Sequence, residues 1–500
     1  MSAPAAPLPD LARARALAAD LDAADFRSEP LRRLWGEEAD DALARGLRLP
    51  ILRAIAADSG VLATLGRLFV FGMPQPVSSV AAALAHSGIA GLVALGLAHE
   101  DAGVVTPHAL IRPQAFVDAD GIGEWWIASD LDEVALGGAL PGDHVLGVGG
   151  ASRTLAELVM PVPATRALDV GTGCGIQALL VARHADEVVA TDISARALAF
   201  AELNAQLNAV HNVTFRQGSM FEPVAGETFD LIVSNPPFVI TPRVEGVPDY
   251  EYRDGGLVGD ALVAQFVREA PQFLAPGGAA QLLGNWESRS GSPGLARLES
   301  WVPAGIDAWV IEREELSPLA YAELWIRDGG TLPRDDAFGV LLSAWLDDFA
   351  QRAVTAIGFG YILLRRSEGA EPLRRFERLA QPVHNAGRAF AAGLAASDSL
   401  ENGLPDTLVM APDVTEARHF MPGSADPTVI ELRQGGGFGR TLSVDSALAG
   451  FVGACDGELS VIQIVQALAD ILEVSQTALW ADLEPRIRQL VRDGFLVAAG

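Results

Sequence analysis

The segment Phe229-Asp230-Leu231-Ile232-Val233-Ser234-Asn235-Pro236-Pro237-Phe238 contains the strongest indication of the fold class. Its first five residues form a largely apolar run that is typical of a buried parallel strand. The two prolines forbid both continued strand pairing and an immediate helix, so the strand must end in a stiff loop. Open α/β sheets bind their ligands at the carboxyl ends of the strands. We therefore predict a substrate clamp at this strand end, with Asn235 as its polar group and Phe238 as its aromatic group.

Segments of strand and helix character alternate on both sides of this stretch. The predicted strands are residues 166–170, 188–192, 213–215, 229–233, 278–284, 308–312 and 358–364, and the predicted helices are residues 176–184, 195–208, 257–273 and 338–353. Such an alternation predicts an α/β fold with a doubly wound, mostly parallel, seven-stranded Rossmann-like sheet. We place this domain at residues 145–368.

Residues 1–144 are predicted to form an N-terminal helical domain that ends in a winged helix. Acidic amphipathic helices come first, and a helix at 80–86, a helix at 88–97 and a strand at 104–106 follow in winged-helix order. Ser78 or Ser79 is the expected cap of the first of these two helices. The order suits either nucleic-acid recognition or a module for dimerisation or for covering the site. We favour the second role, because arginines are few on the second helix.

Residues 369–440 are expected to connect the sheet to a small C-terminal domain at 441–500. Arginines at 365, 366, 374, 375 and 378 are predicted to lie on a solvated helix face, and Gln434-Gly435-Gly436-Gly437-Phe438-Gly439 is predicted to be a flexible loop. Helices at 443–453, 461–472 and 479–491, with a serine-capped turn at 456–460, resemble the small winged-helix modules related to the peptide-binding PqqD type. A plain interaction or dimerisation role is the alternative.

Composition limits the compartments and partners. The 500 residues include 64 acidic and 36 basic ones, none of them lysine, and the formal charge is -28. This charge provides no broad attraction for nucleic acid, although it leaves room for a local arginine patch. Cys174 and Cys455 form no ligand-spaced cluster, so we expect no metal and no disulfide framework. The N-terminus lacks a signal-peptide pattern, and the apolar stretches are short for a membrane span. A soluble, cytoplasmic protein without a membrane partner is expected.

A second motif, Asp169-Val170-Gly171-Thr172-Gly173-Cys174-Gly175, ends the first predicted strand and opens a helix. A dinucleotide-binding loop spaces its third glycine three residues after the second, whereas the spacing here is two, and no lysine is present for a phosphate cradle. Compact glycines let a ligand lie against bare backbone, so they suit an amino-acid moiety as well as a phosphate. Asp192, at the end of the next strand, is placed to accept hydrogen bonds from ribose hydroxyls.

In combination, the glycine loop, the acid and the Asn-Pro-Pro-Phe loop resemble the class I S-adenosylmethionine methyltransferases that modify planar nitrogens. Residues 168–283 are similar to the HemK family of protein-glutamine methyltransferases and to its relatives that act on RNA and DNA bases. The segment Arg253-Asp254-Gly255-Gly256, with Gly259, is similar to the one that follows the same loop in the glutamine enzymes.

The resemblance implies S-adenosyl-L-methionine as the cofactor and a role for each motif. Asp169, Gly171, Thr172, Gly173, Cys174 and Gly175 would surround the methionine part, Asp192 and Ile193 the ribose, Ser219 and Met220 the adenine, and Asn235, Pro236, Pro237 and Phe238 the substrate nitrogen. The family commonly has an acid at the position of Ser219, and a hydroxyl accepts a hydrogen bond without charge. Cys174 is expected to fill space rather than to act as a nucleophile.

The expected chemistry is methylation of a planar NH2 group. The nitrogen lone pair is delocalised, and two acceptors on one side, the Asn235 side-chain oxygen and the Pro236 carbonyl, would hold both hydrogens and aim the lone pair at the methyl group. The leading hypothesis is a glutamine side-chain amide of a protein or peptide. The runner-up is an exocyclic base amine in rRNA, tRNA or DNA, which needs the same clamp. A third hypothesis is an inactive binding or regulatory protein.

Overall fold

The structure, a computed structural model, describes residues 5–118, 121–136, 140–244, 247, 253–367, 369, 371–381, 383 and 385–499. Its N-terminal helices are α1 (Leu11–Ala23), α2 (Ser28–Trp35), α3 (Glu37–Ala44), α4 (Leu49–Ala54), α5 (Val61–Leu65), which continues as a π-helical turn to Val70, α6 (Val77–Ala83), α7 (Gly88–Ala94) and α8 (Glu133–Leu136). Strands β1 (Gln75–Pro76), β2 (Ala98–Asp101) and β3 (Val104–Pro107) form one small sheet, and β4 (Ala109–Asp118) pairs with β5 (Gly121–Asp130) in a long hairpin.

Helices α6 and α7 and the hairpin β2–β3 follow the predicted order, while the winged-helix interpretation stays a prediction. The predicted serine cap is wrong, because α6 begins at Val77 and neither Ser78 nor Ser79 precedes it. The Val77 amide instead donates to the carbonyl of Gly103 in the β2–β3 turn, so no side-chain cap is needed there. Among the described residues, no single helix is long and apolar enough to cross a membrane, whereas the bent pair α6 and α7 together has the required length and composition.

The central part contains an eight-stranded sheet with helices on both faces. In chain order its elements are α9 (Gly150–Leu158), β6 (Ala164–Val170), α10 (Ile176–Val181), β7 (Ala185–Asp192), α11 (Ala195–Leu207), β8 (Val213–Gln217), β9 (Phe229–Ser234), α12 (Ala261–Glu269), β10 (Leu274–Arg289), α13 (Gly294–Trp301), β11 (Asp307–Leu316), α14 (Pro318–Asp328), α15 (Asp336–Gln351), β12 (Val354–Arg365) and β13 (Arg374–Arg378). The strand order is β13-β11-β12-β10-β9-β6-β7-β8. Only β12 runs against its neighbours, β10 and β11.

The predicted α/β Rossmann-like fold is confirmed, whereas the predicted number of seven strands is wrong. The eighth strand, β13, pairs in parallel with β11. The predicted solvated helix face at residues 365–378 is therefore wrong: Arg365 is the last residue of β12, and Arg374–Arg378 form the edge strand β13, so the sheet reaches beyond residue 368. Its arginines explain the difference: Arg375 pairs with Glu377 at 2.9 Å and also with Asp493, and Arg378 lies against the buried Glu312 of β11.

The N-terminal hairpin is attached to the central domain through Asn204 of α11 and Asn208, the residue that follows this helix. Asn204 accepts from the amide of Ala128 at 2.7 Å and donates to its carbonyl at 2.9 Å, and Asn208 forms the same pair of bonds with Trp126. About two helix turns toward the start of α11, Arg196 holds Asp130 with a 2.8 Å hydrogen bond from its Nε atom. Strand β5 is thus bound edge-on to the helix that follows β7.

The C-terminal part begins with α16 (Ala386–Glu401) and continues with β14 (Thr407–Met410), β15 (Val414–His419), β16 (Val429–Gln434), β17 (Thr441–Val444), α17 (Ser446–Gly453), β18 (Asp456–Ser460), α18 (Val461–Leu472), α19 (Gln476–Arg492) and β19 (Leu496–Ala498). Ser460 caps α18 in a capping box with Gln463. The expected turn at 456–460 is strand β18, which pairs with β14. The predicted C-terminal winged helix stays a prediction.

Several arginines each bridge carboxylates from separate elements. Arg365 of β12 contacts Asp307 of β11 at 2.7 Å and Asp398 of α16 at 2.6 Å, Arg352 contacts Glu287 at 2.7 Å and Asp348 at 2.5 Å, and Arg375 joins Glu377 to Asp493. Because the guanidinium is a planar fork with five N–H donors, it can hold two acids at once. These bridges tie the far half of the sheet to its neighbouring helices.

Candidate active site

Three of the predicted site segments lie side by side at one edge of the sheet. In the parallel ladders Val170 of β6 pairs with Thr191 of β7 and with Ser234 of β9. The residues that follow, Gly171, Asp192 and Asn235, therefore emerge at the same level, at the carboxyl ends where such sheets bind ligands. The structure thus brings together the glycine loop, the acid and the Asn-Pro-Pro-Phe loop, although they are far apart in the sequence.

The glycine loop leaves bare backbone toward open space. Gly171, Gly173 and Gly175 have φ angles of +72°, +56° and +87°, which favour glycine. A Cβ atom at Gly171 or Gly173 would meet no atom within 4 Å, whereas one at Gly175 would lie 2.9 Å from the Cβ of Ala201. The first two glycines therefore leave room for a ligand, and the third allows α11 to pack closely.

Backbone hydrogen bonds fix this loop to the neighbouring strand. The amides of Gly171 and Thr172 both donate to the carbonyl of Thr191 at 2.9 Å. The amide of Gly173 donates to Asp192 Oδ2 at 2.9 Å, and Asp192 Oδ1 accepts from the amide of Ser194 at 2.9 Å. Burial raises the pKa of Asp192 from its ordinary value. Each carboxylate oxygen has a second lone-pair direction, so Asp192 can still accept from a ligand hydroxyl.

Asp169 is a buried acid with one unused oxygen. Its Oδ2 accepts from the Thr172 hydroxyl at 2.6 Å and from the Ala178 amide at 3.0 Å, while its Oδ1 has no hydrogen-bond partner among the described residues. Burial raises the pKa of this carboxyl to about 7. Burial likewise raises the pKa of the Cys174 thiol to about 11, so that thiol stays protonated at neutral pH, as a space-filling residue would.

Asn235 has an unused acceptor at the clamp. Its Oδ1 is buried and has no partner among the described residues. The preceding Ser234 donates from its hydroxyl to the carbonyl of Val170 at 2.7 Å, which ties the start of the clamp to the glycine loop's strand. Pro236 is buried, and the ring of Phe238 lies 5.6 Å from that of Phe359. A buried polar atom without a partner is costly, so this oxygen is poised for a donor that arrives with a ligand.

The segment Arg253-Asp254-Gly255-Gly256 packs directly against the clamp. Phe238 forms an antiparallel bridge with Asp254, and the Val239 amide donates to the Arg253 carbonyl at 2.9 Å. Arg243 pairs with Asp254, and Arg253 pairs with Asp328 at 3.2 Å. The clamp and this segment therefore form one local structure.

The remaining predicted residues follow β7 and β8. Ile193 is 63% exposed, and its carbonyl accepts from the Gln217 side chain at 3.1 Å. Ser219 and Met220 are half-buried, and Met220 has a positive φ of 51°. Because Asp192 pairs with Gln217 in the β7–β8 ladder, Ser219 lies two residues beyond the strand pairing, on the same sheet edge.

Two polar residues beside the clamp, Tyr321 and Asn285, belong to none of the motifs found in the sequence. Tyr321 of α14 accepts from the Ile240 amide at 3.0 Å, and its hydroxyl lies 2.5 Å from the side chain of Asn285 on β10. An asparagine inside the apolar run Gly284–Trp286 is the only sequence signal, and nothing in the sequence links it to Tyr321. Among the described residues there is no group of three or more His, Cys, Asp or Glu side chains placed to hold a metal ion.

Two family models match parts of the chain. Residues 147–292 match the methyltransferase small domain, and residues 23–108 match a domain of unknown function, DUF7059. The first match contains the glycine loop, Asp192 and the clamp, and it supports S-adenosylmethionine as the cofactor. The second covers most of the N-terminal helices.

Proteins that are similar to the central region include glutamine methyltransferases. The release factor glutamine methyltransferase of Geobacter sulfurreducens is 41% identical over 125 residues, which are 23% of this chain and 43% of that protein. The enzyme of the same name from Yersinia pestis is 42% identical over 136 residues (26% and 49%), and the ribosomal protein uL3 glutamine methyltransferase of Bradyrhizobium diazoefficiens is 34% identical over 151 residues (28% and 46%). The chain thus spans about half the length of these relatives. The resemblance to the HemK type is confirmed.

Proposed function

We propose that the protein is an S-adenosylmethionine-dependent N-methyltransferase whose acceptor is the side-chain amide of a glutamine in another protein. The observation that carries the proposal is the buried Oδ1 of Asn235, which has no hydrogen-bond partner among the described residues and lies next to Pro236 at the strand end beside the glycine loop. A primary amide brings two N–H donors, so it supplies a partner to Asn235 and to the Pro236 carbonyl together.

The residues of the glycine loop fit the cofactor. Open space above Gly171 and Gly173 would accept the methionine part, and the unused Oδ1 of Asp169 would accept from its ammonium group. Asp192 would accept from the ribose hydroxyls, and Ile193, Ser219 and Met220 would line the adenine end. When bound, S-adenosylmethionine supplies the methyl group on its positively charged sulfur.

The role of the clamp is to make the amide nitrogen a better nucleophile. An amide nitrogen is a poor nucleophile because its lone pair is delocalised into the carbonyl. Holding both hydrogens between Asn235 and Pro236 favours a pyramidal nitrogen, and this interaction grows stronger in the transition state than in the ground state. The nitrogen lone pair would form the new N–C bond while the bond between the methyl carbon and the sulfonium sulfur breaks, its electron pair staying on the sulfur of the departing S-adenosylhomocysteine, and the nitrogen would then release one proton to solvent. Phe238 and Phe359 offer an aromatic wall that stacks on the planar amide and excludes water.

The surroundings of the clamp favour a protein acceptor over a nucleic acid. Arg243 and Arg253 lie next to the clamp, and they pair with the carboxylates of Asp254 and Asp328, respectively. They therefore do not offer the uncompensated cations that bind a phosphate backbone. The formal charge of -28 acts in the same direction, and the matched relatives are named as glutamine methyltransferases.

The decisive experiment follows a labelled methyl group. The protein is incubated with radiolabelled S-adenosylmethionine and bacterial lysate fractions, and the labelled material is treated with protease or with nuclease. We expect protease-sensitive label, and mass spectrometry should find one added methyl group on a glutamine side chain. Asn235→Ala should remove the label, whereas the exposed Asn402→Ala, a matched control, should not.

Label that only nuclease releases would replace the protein acceptor by a base amine. Label in small molecules would contradict both acceptors, and failure to bind S-adenosylmethionine would support an inactive binding protein instead.

A further inference from the structure

The side-chain amide of Asn285 has one hydrogen-bond partner, the hydroxyl group of Tyr321, and its other polar atom has none among the described residues. Asn285 is only 1% exposed, and its Oδ1 has no hydrogen-bond partner among the described residues when its Nδ2 faces Tyr321. A half-turn of the amide exchanges these two atoms, so the hydrogen bonds decide which one faces Tyr321. The choice determines whether the unused atom is an acceptor or a donor.

Tyr321 settles the orientation. Its hydroxyl oxygen must accept at Ile240, because a backbone N–H can only donate. If Asn285 also donated to it, Asn285 Oδ1 would remain buried without a partner among the described residues, and the hydroxyl hydrogen could not be donated to Asn285. If Tyr321 donates to Asn285 Oδ1 instead, both are satisfied. The turned amide therefore has the lower cost, and it places the NH2 group of Asn285 at the buried position where Oδ1 otherwise has no hydrogen-bond partner among the described residues.

This donor belongs to the wall of the clamp. Asn285 pairs with Phe359 in the β10–β12 ladder, so both side chains stand on the same face of the sheet. The Phe359 ring contacts Phe238, and Tyr321 connects Asn285 to Ile240, two residues after Phe238. Asn285 thus approaches the clamp from the side opposite to the glycine loop's strand, because β10 and β6 flank β9 on opposite sides.

An amide substrate needs such a donor. Its NH2 group would be held by Asn235 and Pro236, which leaves its acyl oxygen inside an aromatic wall without water. An acyl oxygen that is buried without a donor costs about 1–3 kcal/mol. We propose that the side-chain NH2 of Asn285 donates to the acyl oxygen of the acceptor amide, so that Asn235 and Asn285 together hold both ends of the planar group. This inference rests on the proposed function and assigns it a further substrate-binding residue.

A rival donor lies in the same loop. Thr241 is buried, and its hydroxyl has no partner among the described residues. Thr241→Val has nearly the same shape and removes only this hydroxyl, so it serves as the matched control for Asn285. The test can thus separate a specific donor from a general effect of losing a buried polar group near the clamp.

The experiment compares Asn285→Ala, Asn285→Asp and Thr241→Val with the unaltered chain. Each is assayed with radiolabelled S-adenosylmethionine and with the acceptor protein that the label-transfer experiment identifies. We expect both Asn285 variants to lower kcat/KM for the acceptor by about 10–100-fold at pH 8, with thermal unfolding and S-adenosylmethionine affinity nearly unchanged. Thr241→Val should retain the original kcat/KM. The Asn285→Asp enzyme should recover activity as the pH falls, because a protonated carboxyl can again donate, and a purely structural role would not change the pH profile in this way.

The outcomes separate the two proposals. If the unaltered protein transfers no methyl group to any acceptor, the proposed function fails and this inference fails with it. If it transfers methyl groups and Asn285→Ala does so equally well, or if Thr241→Val shows the loss instead, the role of Asn285 alone is overturned. Asn285→Ala keeps the test valid if the buried carboxyl of Asn285→Asp prevents folding.

Discussion

The side-chain amide of Asn204 donates a 2.8 Å hydrogen bond to the carbonyl of Cys174, and the same side chain forms a bond in each direction with the backbone of Ala128. One buried asparagine therefore ties the cofactor loop to the N-terminal hairpin. The position of the loop thus depends on a part of the chain that lies outside the sheet.

We expect Asn204→Ala to weaken both stability and cofactor binding. The substitution removes three buried hydrogen bonds and leaves the backbone groups of Ala128 and Cys174 without the side chain that they bind. The free energy of unfolding should therefore fall by about 2–4 kcal/mol. Denaturant unfolding and calorimetric titration with S-adenosylmethionine would measure the two effects. The exposed Glu202→Ala on the same helix is the control, and an unchanged affinity in Asn204→Ala would show that the hairpin does not hold the loop.

Asn235→Ala should abolish methyl transfer and leave cofactor binding nearly intact. The clamp atom that it removes has no partner in the protein among the described residues, so the fold loses little. Calorimetric titration with S-adenosylmethionine and a single-turnover transfer assay would separate binding from chemistry. An equal loss of cofactor binding and of methyl transfer would contradict the role assigned to Asn235. Asn402→Ala, which alters an exposed asparagine outside the site, is the control.

Asp192→Ala should weaken cofactor binding rather than the chemical step. The substitution removes an acceptor for the ribose, and it also frees the Gly173 amide that shapes the loop. Loss of charge-assisted hydrogen bonds of this kind predicts about a 10–100-fold higher dissociation constant for S-adenosylmethionine. Asp186→Ala, at the exposed start of the same strand, is the matched control. A dissociation constant equal to that of the unaltered protein would contradict the ribose assignment.

Asp169 should make the protein without cofactor less stable as the pH rises. The pKa of its carboxyl is raised from 3.8 to about 7, so between these values the folded chain keeps a proton that the unfolded chain has lost. The free energy of unfolding therefore falls as the pH rises through this window and levels off above it. Between pH 5 and pH 8 the contribution is on the order of 1–3 kcal/mol. Denaturant unfolding of the original chain and of Asp169→Asn at both pH values would measure it, and identical pH dependence would refute the assignment.

The strand ends of the site were predictable because their signals are local. An apolar run followed by glycines, an acid or two prolines specifies both the strand and the point where it stops, and parallel pairing then brings these points together. Asp169, Asp192 and Asn235 needed no knowledge of the rest of the chain.

The features that escaped the sequence depend on distant partners. Arg374–Arg378 has no apolar run, and it becomes a strand because β11 presents a free edge and the buried Glu312. The hairpin β4–β5 contains Pro113, which weakens its strand signal, and an asparagine of α11 binds its backbone instead. Tyr321 and Asn285 lie 36 residues apart and meet only after the crossover through α14 is formed.

The two-carboxylate bridges have a consequence for alkaline conditions. The pKa of Arg365, whose guanidinium joins Asp307 to Asp398, is raised further by hydrogen bonds to these acids. A cation with a raised pKa contributes its stabilisation at every pH below its ordinary value, and the contribution is lost only above that value. Ion pairs made by lysine are lost near pH 10, because the ammonium group gives up its proton there. This chain contains no lysine, so its ion pairs do not have this weakness. The far half of the sheet should therefore keep its ionic connections in alkaline solution.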